Sequence, residues 1–222
     1  MPVESLPVES VPAEALTGIA LDHDAVRYWS IAGPTLFNTF TLLANQRPDP
    51  VMVDAPFACA WEAHQKRGLL EALAERYDFD LLPPELTSSG ATVMSPLFAL
   101  LEEQLERYYP ALAVDDQSRA FTRYSAALAR TLRRCHEHAP TLDRDNMDDL
   151  AQLLGHRPHT VNEGMARLQE AIAEDYTEDL ERRVQMLHRI EVRRDHLLRP
   201  LQQATGVGGG QLMGRLGELA GV

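Results

Sequence analysis

The dominant pattern in this chain is one long apolar stripe in its C-terminal third. Apolar residues recur there at steps of three or four, the spacing that predicts an amphipathic α-helix. The stripe comprises Val161, Met165, Leu168, Ile172, Tyr176, Leu180, Val184, Leu187, Ile190, Leu197 and Leu201. It is interrupted once, after Ile190, where Arg194 occupies the expected apolar position and Glu191 lies on the same face. Charged residues on a core-facing stripe are rare unless they are paired or functional.

The length of the stripe leaves two interpretations open. A single helix would be roughly 60 Å long, because each residue adds about 1.5 Å. The sequence Thr160 to Glu163 fits a capping box at its start, and Pro200 is predicted to end it. A second cap-like sequence, from Asp175 to Glu178, divides the stripe into two helices in the other interpretation.

Helical patterns also cover most of the chain before the stripe. Start signals precede six shorter helices, at Asp22 or Asp24, Pro34, Asp54 with Pro56, Ser95, Asp115 or Asp116, and Asp145. The helix after Ser95 has an apolar stripe that includes Leu97, Phe98, Leu101, Leu105 and Tyr108. Pro110, Pro140 and Gly155 are expected to end three of these helices. Strand patterns are nearly absent, so we expect an all-α fold, a single-domain helical bundle of seven to nine helices with a long C-terminal helix or helix pair.

The two ends of the chain differ in composition from this helical region. Residues 1–14 contain a tandem rich in proline, glutamate and serine, which predicts a disordered tail. We expect the bundle domain to span residues 15–204. Residues 205–222 then combine a glycine-rich hinge with a short amphipathic helix.

Composition limits the partners and the compartment. The formal net charge is −12, whereas nucleic acids and anionic membranes are bound by basic surfaces, so we expect neither as a partner. The chain shows no signal peptide, no apolar run near the roughly 20 residues of a membrane span, and two cysteines far apart. These features predict a cytoplasmic protein. Lys66 is the only lysine, which is typical of a GC-rich, bacterial-like composition.

Familiar metal and catalytic motifs are missing from the sequence. The run His136–Glu137–His138 cannot direct three side chains to one metal ion from a regular helix, because neighbours two apart diverge. Asp145, Asp148 and Asp149 resemble a magnesium cluster, but capping of a helix explains them equally well. We therefore expect no metal site and no cofactor.

One candidate site lies where the stripe is interrupted. His188, Glu191 and Asp195 lie within about 60° of one another on the helix, beside Arg194. If this face lines a cavity, Glu191 or His188 could act as a base and Arg194 could bind an anionic substrate. In the alternative interpretation, the helix leaves the core here and Glu191 and Arg194 form an ordinary surface ion pair.

A second candidate combines Trp61, His64 and Gly68, which share one helix face at positions i, i+3 and i+7. Glycine would allow a ligand to approach closely, and the aromatic ring and the histidine could floor a pocket. Packing of another helix against the small residue explains the same pattern.

Two functions remain open. The first is a helical protein that acts by association, as a homo-oligomer or as an accessory or interaction module, with Glu191 and Arg194 pairing across the interface to set its register. The second is a small-molecule enzyme or ligand-binding protein whose interhelical pocket brings together Glu191, Arg194, His188 and His64. The expected partner is a second copy or another protein under the first hypothesis, and a small molecule under the second.

Overall fold

The computed structural model describes residues 55–86, 90–175 and 177–205, with the side chains of 55–58, 116, 117, 120 and 205 outside this description. Five helices of nine or more residues make up most of it: α1 (Ala55–Tyr77), α2 (Ser95–Glu103), α3 (Asp116–Leu154), α4 (Val161–Glu174) and α5 (Leu180–Thr205). A π-helical turn, Gln104–Tyr108, and a further α-helical turn, Tyr109–Leu112, continue α2. No strand occurs in these ranges. The all-α prediction is confirmed, whereas the described residues contain five such helices instead of seven to nine.

Several predicted elements lie outside the described residues. These are the tail of residues 1–14, the helices that begin near Asp22 and Pro34, and the hinge and short helix of the segment 206–222. The helix predicted from Asp54 corresponds to α1, which ends at Tyr77 as expected.

The third helix is longer than the sequence predicted, because Pro140 lies inside it. The helix runs for 39 residues to Leu154, so the predicted end before Pro140 is wrong. A proline in a helix interior removes one backbone hydrogen bond, at a cost of about 3 kcal/mol. Packing offsets this cost, because both halves of α3 pack on α5, through Ala127 at one end and Leu150 at the other. Asp145 to Asp149 are therefore interior residues of α3, and their predicted role as a helix cap is wrong.

Two other prolines also fail to end a helix. Pro200 is buried inside α5, which continues to Thr205, and Pro110 lies in the helical turn after α2. Ser95, predicted as a cap, is instead the first residue of α2. Its hydroxyl accepts a hydrogen bond from the Thr92 N–H at 2.8 Å and donates one to Glu137 Oε1 at 2.5 Å.

The long apolar stripe forms two helices, α4 and α5, as the second interpretation held. Thr160 caps α4, because its Oγ1 accepts a hydrogen bond from the Glu163 N–H at 3.1 Å. Between the helices, Asp175 Oδ1 accepts from the Thr177 N–H at 2.8 Å. These local side-chain bonds satisfy donors that no helix could satisfy, which is how the chain turns there.

The last helix, α5, is the centre of the packing, because it contributes to three buried apolar clusters. Met186 and Ile190 pack with Leu150 of α3 and Leu168 of α4. The second cluster joins Ala60, Ala127 and Leu201, and the third joins Leu70, Ala74 and Val184. These pairings make α1 and α3 both antiparallel to α5. No described helix is both long and apolar enough to cross a bilayer.

Candidate functional site

A row of polar side chains runs along the interface between α1 and α5, and we call it the charged seam. Small buried residues of α1, such as Ala60, Ala63 and Ala74, allow the two helices to approach closely. The seam comprises Glu62, His64, Lys66, Arg67 and Glu71 of α1 with His188, Glu191, Arg194, Asp195 and Gln202 of α5.

Asp195 forms the middle of the seam and is 3 % exposed. Its carboxylate accepts hydrogen bonds from Arg67 Nη1 at 2.7 Å and from Gln202 Nε2 at 2.5 Å, and His64 Nδ1 lies 3.7 Å away. Burial acts to raise the pKa of Asp195, but the contact with His64, the hydrogen bond from Gln202 and the charge of Arg67 outweigh it and lower the pKa. Asp195 is therefore ionised at neutral pH.

Glu71 connects this centre to His188 at one end of the seam. Arg67 Nε lies 3.0 Å from Glu71 Oε1, and His188 Nε2 lies 3.5 Å from the same oxygen. Burial acts to raise the pKa of Glu71, whereas the hydrogen bond of His188 and the charge of Arg67 lower it by more. The other ring nitrogen of His188, Nδ1, is buried without a hydrogen bond.

Arg194 connects two carboxylates on the other side of the seam. Its Nη2 donates to Glu62 Oε2 at 2.9 Å, and its Nη1 lies 3.7 Å from Glu191 Oε2. Lys66 Nζ lies 2.7 Å from Glu62, and burial of Glu62 is outweighed by its bonds to Lys66 and Arg194, so the pKa of Glu62 is lowered.

Glu191 is the exception among these carboxylates. It is 8 % exposed, and its Oε2 has no hydrogen bond. Burial raises the pKa of Glu191, and the charges of Arg194 and Lys66 only partly oppose that effect. The interpretation of Glu191 and Arg194 as an ordinary surface pair is therefore wrong, because the glutamate is enclosed between α1 and α5.

The seam collects most of the residues that the sequence singled out. Arg194, His188 and Asp195 contact side chains of α1 there, with His64 as the partner of Asp195, and Glu191 lies beside Arg194. Trp61 is half-buried and Gly68 is buried on the same helix as His64.

Sequence reasoning missed most of the α1 side of the seam: Glu62, Lys66, Arg67 and Glu71, together with Gln202 of α5. A signal was present, because Glu62–Lys66 and Arg67–Glu71 have the i,i+4 spacing of helix ion pairs. The same spacing is common on helices that face solvent, so it does not indicate burial.

A second buried ion pair, between α3 and α5, also escaped the sequence analysis. Arg193 Nη1 donates to Asp149 Oδ2 at 2.6 Å and to Asn146 Oδ1 at 2.8 Å, and Arg189 lies 2.8 Å from Asp149. Asp149 therefore serves as a partner for arginines of α5. Within the described ranges, no group of three or more His, Cys, Asp or Glu side chains is placed to hold a metal ion.

A second candidate surface lies on α2, whose amphipathic arrangement is inverted. Leu97, Leu100 and Leu101 lie on one side of the helix at i, i+3 and i+4, and they are 57 %, 51 % and 41 % exposed. We call these residues, with Met94 before them, the α2 face. The side of α2 that contacts α3 is polar, because Ser95 and Glu102 are buried there.

Polar contacts hold this inward side of α2 against α3. Glu102 Oε1 lies 3.2 Å from Arg133 Nε, Ser95 donates to Glu137, and the Phe98 ring lies 5.6 Å from the His136 ring. The apolar exposure continues beyond the α2 face through the π-helical turn, because Tyr108, Tyr109 and Leu112 are also exposed. A groove of about 410 Å³ lies between α4 and α5 and is lined in part by Met165, Leu168 and Leu187.

Comparisons with known proteins add no assignment to either surface. No family model, no curated protein and no solved structure matches this chain.

Proposed function

We propose that this protein acts by self-association, and that the α2 face is the surface through which two copies meet. The observation that carries the proposal is the inverted orientation of α2, which buries Ser95 and Glu102 and exposes leucines. An amphipathic helix on a monomer normally turns its apolar side to the core. Large contiguous apolar surfaces on soluble proteins usually mark interaction sites.

Charge favours a second copy as the occupant of this surface. The chain carries a formal net charge of −12, so two copies repel each other over most of their surfaces. Residues 93–101 contain no charged side chain, and therefore form a region where two copies can approach without this penalty. Beyond it, Glu103 and Arg107 are exposed and form an i,i+4 pair.

Glu191 and Arg194, which the sequence suggested as a pair across the interface, are not needed to set the register of this dimer. Both side chains have partners within one chain, Arg194 in Glu62 and Glu191 in Arg194. The α2 face has no such partner among the described residues, which is why the association is assigned to it.

Sedimentation across a range of protein concentrations tests the proposal. The wild type is expected to show a mass above the 24.8 kDa of one chain, and the mass should rise with concentration. The double variant Leu97→Glu/Leu101→Glu is expected to sediment as a single chain, because each charge would be buried in the interface without a partner.

A matched control separates this effect from a general loss of apolar surface. Leu82 is 74 % exposed and lies outside the α2 face, so Leu82→Glu should associate like the wild type. A wild type that remains a single chain at all concentrations, or a double variant that associates normally, would contradict the proposal.

The second candidate function, a small-molecule enzyme or binding protein, is favoured by one observation in the seam. Glu191 Oε2 and His188 Nδ1, one helical turn apart on α5, are both buried without a hydrogen bond. A ligand that donates to the carboxylate would satisfy the first of them. Such a ligand should raise the midpoint of thermal unfolding of the wild type and have no effect on Glu191→Ala.

A further inference from the structure

A cluster of basic side chains lies between α3 and α5, and His196 in it follows Asp195 of the charged seam in the chain. Arg134 and His138 are one turn apart on α3, and His196 and Arg199 are one turn apart on α5. Arg134 Nη2 donates to the His196 backbone carbonyl at 2.9 Å and lies 2.8 Å from Nε2 of its ring. The rings of His138 and His196 meet edge to face, 6.1 Å apart.

The two carboxylates beside this cluster have their hydrogen-bond partners outside it. Glu137 of α3 is engaged by the Ser95 hydroxyl, and Asp195 of α5 is engaged by Arg67 and Gln202. Within the described residues, neither Arg134 nor Arg199 forms an ion pair with a carboxylate, although the chain as a whole is strongly acidic. The buried Arg134 Nε and His138 Nδ1 also lack hydrogen bonds there.

The electrostatics agree with an excess of positive charge. The pKa of His196 is lowered to about 4 by burial and by the charges of Arg134, Arg199 and His138. The pKa of Arg134 is lowered by burial and then by the charge of Arg199. Neighbouring Arg133 is already engaged by Glu102, and the pKa of the Cys135 thiol is raised by burial. His196 is therefore neutral at pH 7, and its ring can accept a hydrogen bond from Arg134.

We propose that this cluster binds a small oxyanion, a phosphoryl or carboxylate group, between α3 and α5. Arg199 is exposed and supplies one guanidinium, and the half-buried Arg134 supplies the second. Two arginines can bind an oxyanion through several charge-assisted hydrogen bonds. His196 is a positioning residue, because its carbonyl and ring hold the Arg134 side chain. Arg134 Nε is enclosed, so the anion meets the outer nitrogens of the guanidinium.

Calorimetric titration with sulfate tests the site, with chloride added to keep the ionic strength constant. Sulfate is the probe because its charge does not change between pH 5 and pH 8, so any pH dependence comes from the protein. The wild type is expected to bind one sulfate per chain with a saturable heat. Arg134→Gln should weaken binding by about tenfold or more, and Arg199→Gln by several-fold, because each removes charge-assisted hydrogen bonds.

Arg144→Gln is the matched control. Arg144 is an exposed arginine of the same helix, about 15 Å further along its axis, and its loss changes the net charge by the same amount. This variant should bind sulfate like the wild type. Arg199→Gln changes an exposed side chain, so it keeps the test decisive even if Arg134→Gln fails to fold, which circular dichroism would show.

The pH dependence gives an independent readout. A bound anion raises the pKa of His196 from its value of about 4, so binding takes up a proton and the affinity for sulfate should rise as the pH falls toward 5. Methyl phosphate and acetate, titrated in the same way, distinguish a phosphoryl site from a carboxylate site by which binds more tightly. A non-saturable heat in the wild type, or equal weakening in Arg144→Gln and Arg199→Gln, would overturn the proposal.

Discussion

The charged seam and the α2 face break the usual rule of apolar inside and polar outside in opposite directions. The seam holds three buried carboxylates and the half-buried Glu71 between two helices, and three permanent cations within the same interface contact them. The α2 face exposes leucines although α2 packs against another helix, α3, which contacts its polar side instead. Buried charges are tolerated when their partners lie in the same chain. The α2 face lacks such a partner in the described chain, which is why we propose that it is the surface of self-association.

The largest loss of stability is expected from a substitution at the centre of the charged seam. Asp195→Ala leaves Arg67, His64 and Gln202 without their common partner, and removal of one member of a buried pair is strongly destabilising. Because Arg67 is partly exposed, at 29 % of its side chain, we expect a loss of about 2–3 kcal/mol in the free energy of unfolding. Urea denaturation monitored by circular dichroism measures it.

The control for Asp195 is an ion pair that is open to water. Glu103 and Arg107 lie 2.8 Å apart on the surface of the π-helical region. Glu103→Ala should change the free energy of unfolding by less than about 0.5 kcal/mol. Equal losses in the two variants would remove the distinction between a buried seam and a surface ion pair.

A smaller change in the free energy of unfolding, this time a gain in stability, is expected when Glu191 is replaced by glutamine. The pKa of Glu191 is raised by burial in the folded chain, so the folded state holds this proton more tightly than the unfolded state. Its contribution to stability is therefore complete at low pH and is lost as the pH rises through the folded pKa. Glutamine does not ionise, and Arg194 keeps Glu62 as its partner.

Glu191→Gln should thus be more stable than the wild type at pH 7, by about 1 kcal/mol. The difference should vanish below about pH 4, where the glutamate is protonated in both states. Asp195→Asn is the counterpart, because the pKa of Asp195 is lowered and this variant should be less stable than the wild type at pH 7. A Glu191→Gln protein that is less stable at pH 7 would show that the Arg194 contact outweighs the burial of the charge.

The sequence predicted those features that depend only on residues close together in the chain. The Thr160 cap, the Asp115 cap and the end of α3 at Gly155, which has a φ of 74°, each follow from local hydrogen bonding or backbone conformation. The helix ends predicted at Pro140 and Pro200 are wrong because packing on distant residues outweighs a single lost hydrogen bond. Periodicity within one helix cannot include that contribution.

Only the α5 half of the candidate site was predicted from the sequence, for a related reason. The interruption of the stripe at Glu191 and Arg194 identified the α5 side, because charge on an apolar face is visible in one helix. The partners on α1 depend on which two helices pack together, and a single sequence does not contain that information. The orientation of α2 was also beyond prediction, because the positions of Leu97 and Leu101 are those of an ordinary core-facing stripe.

The smallest expected effect is the response of self-association to salt. It distinguishes an apolar interface from one held together by ion pairs. If two copies meet at the uncharged α2 face, the net charge of −12 on each chain opposes the encounter, and salt screens that repulsion. Raising sodium chloride from about 0.05 M to about 0.5 M should strengthen the dimer several-fold, because the screening length falls below about 5 Å. Sedimentation equilibrium at both concentrations measures the change. An interface built on pairs such as Glu103 with Arg107 of the other copy would weaken instead, so a loss of affinity would place the contact on the charged flank and away from the leucines.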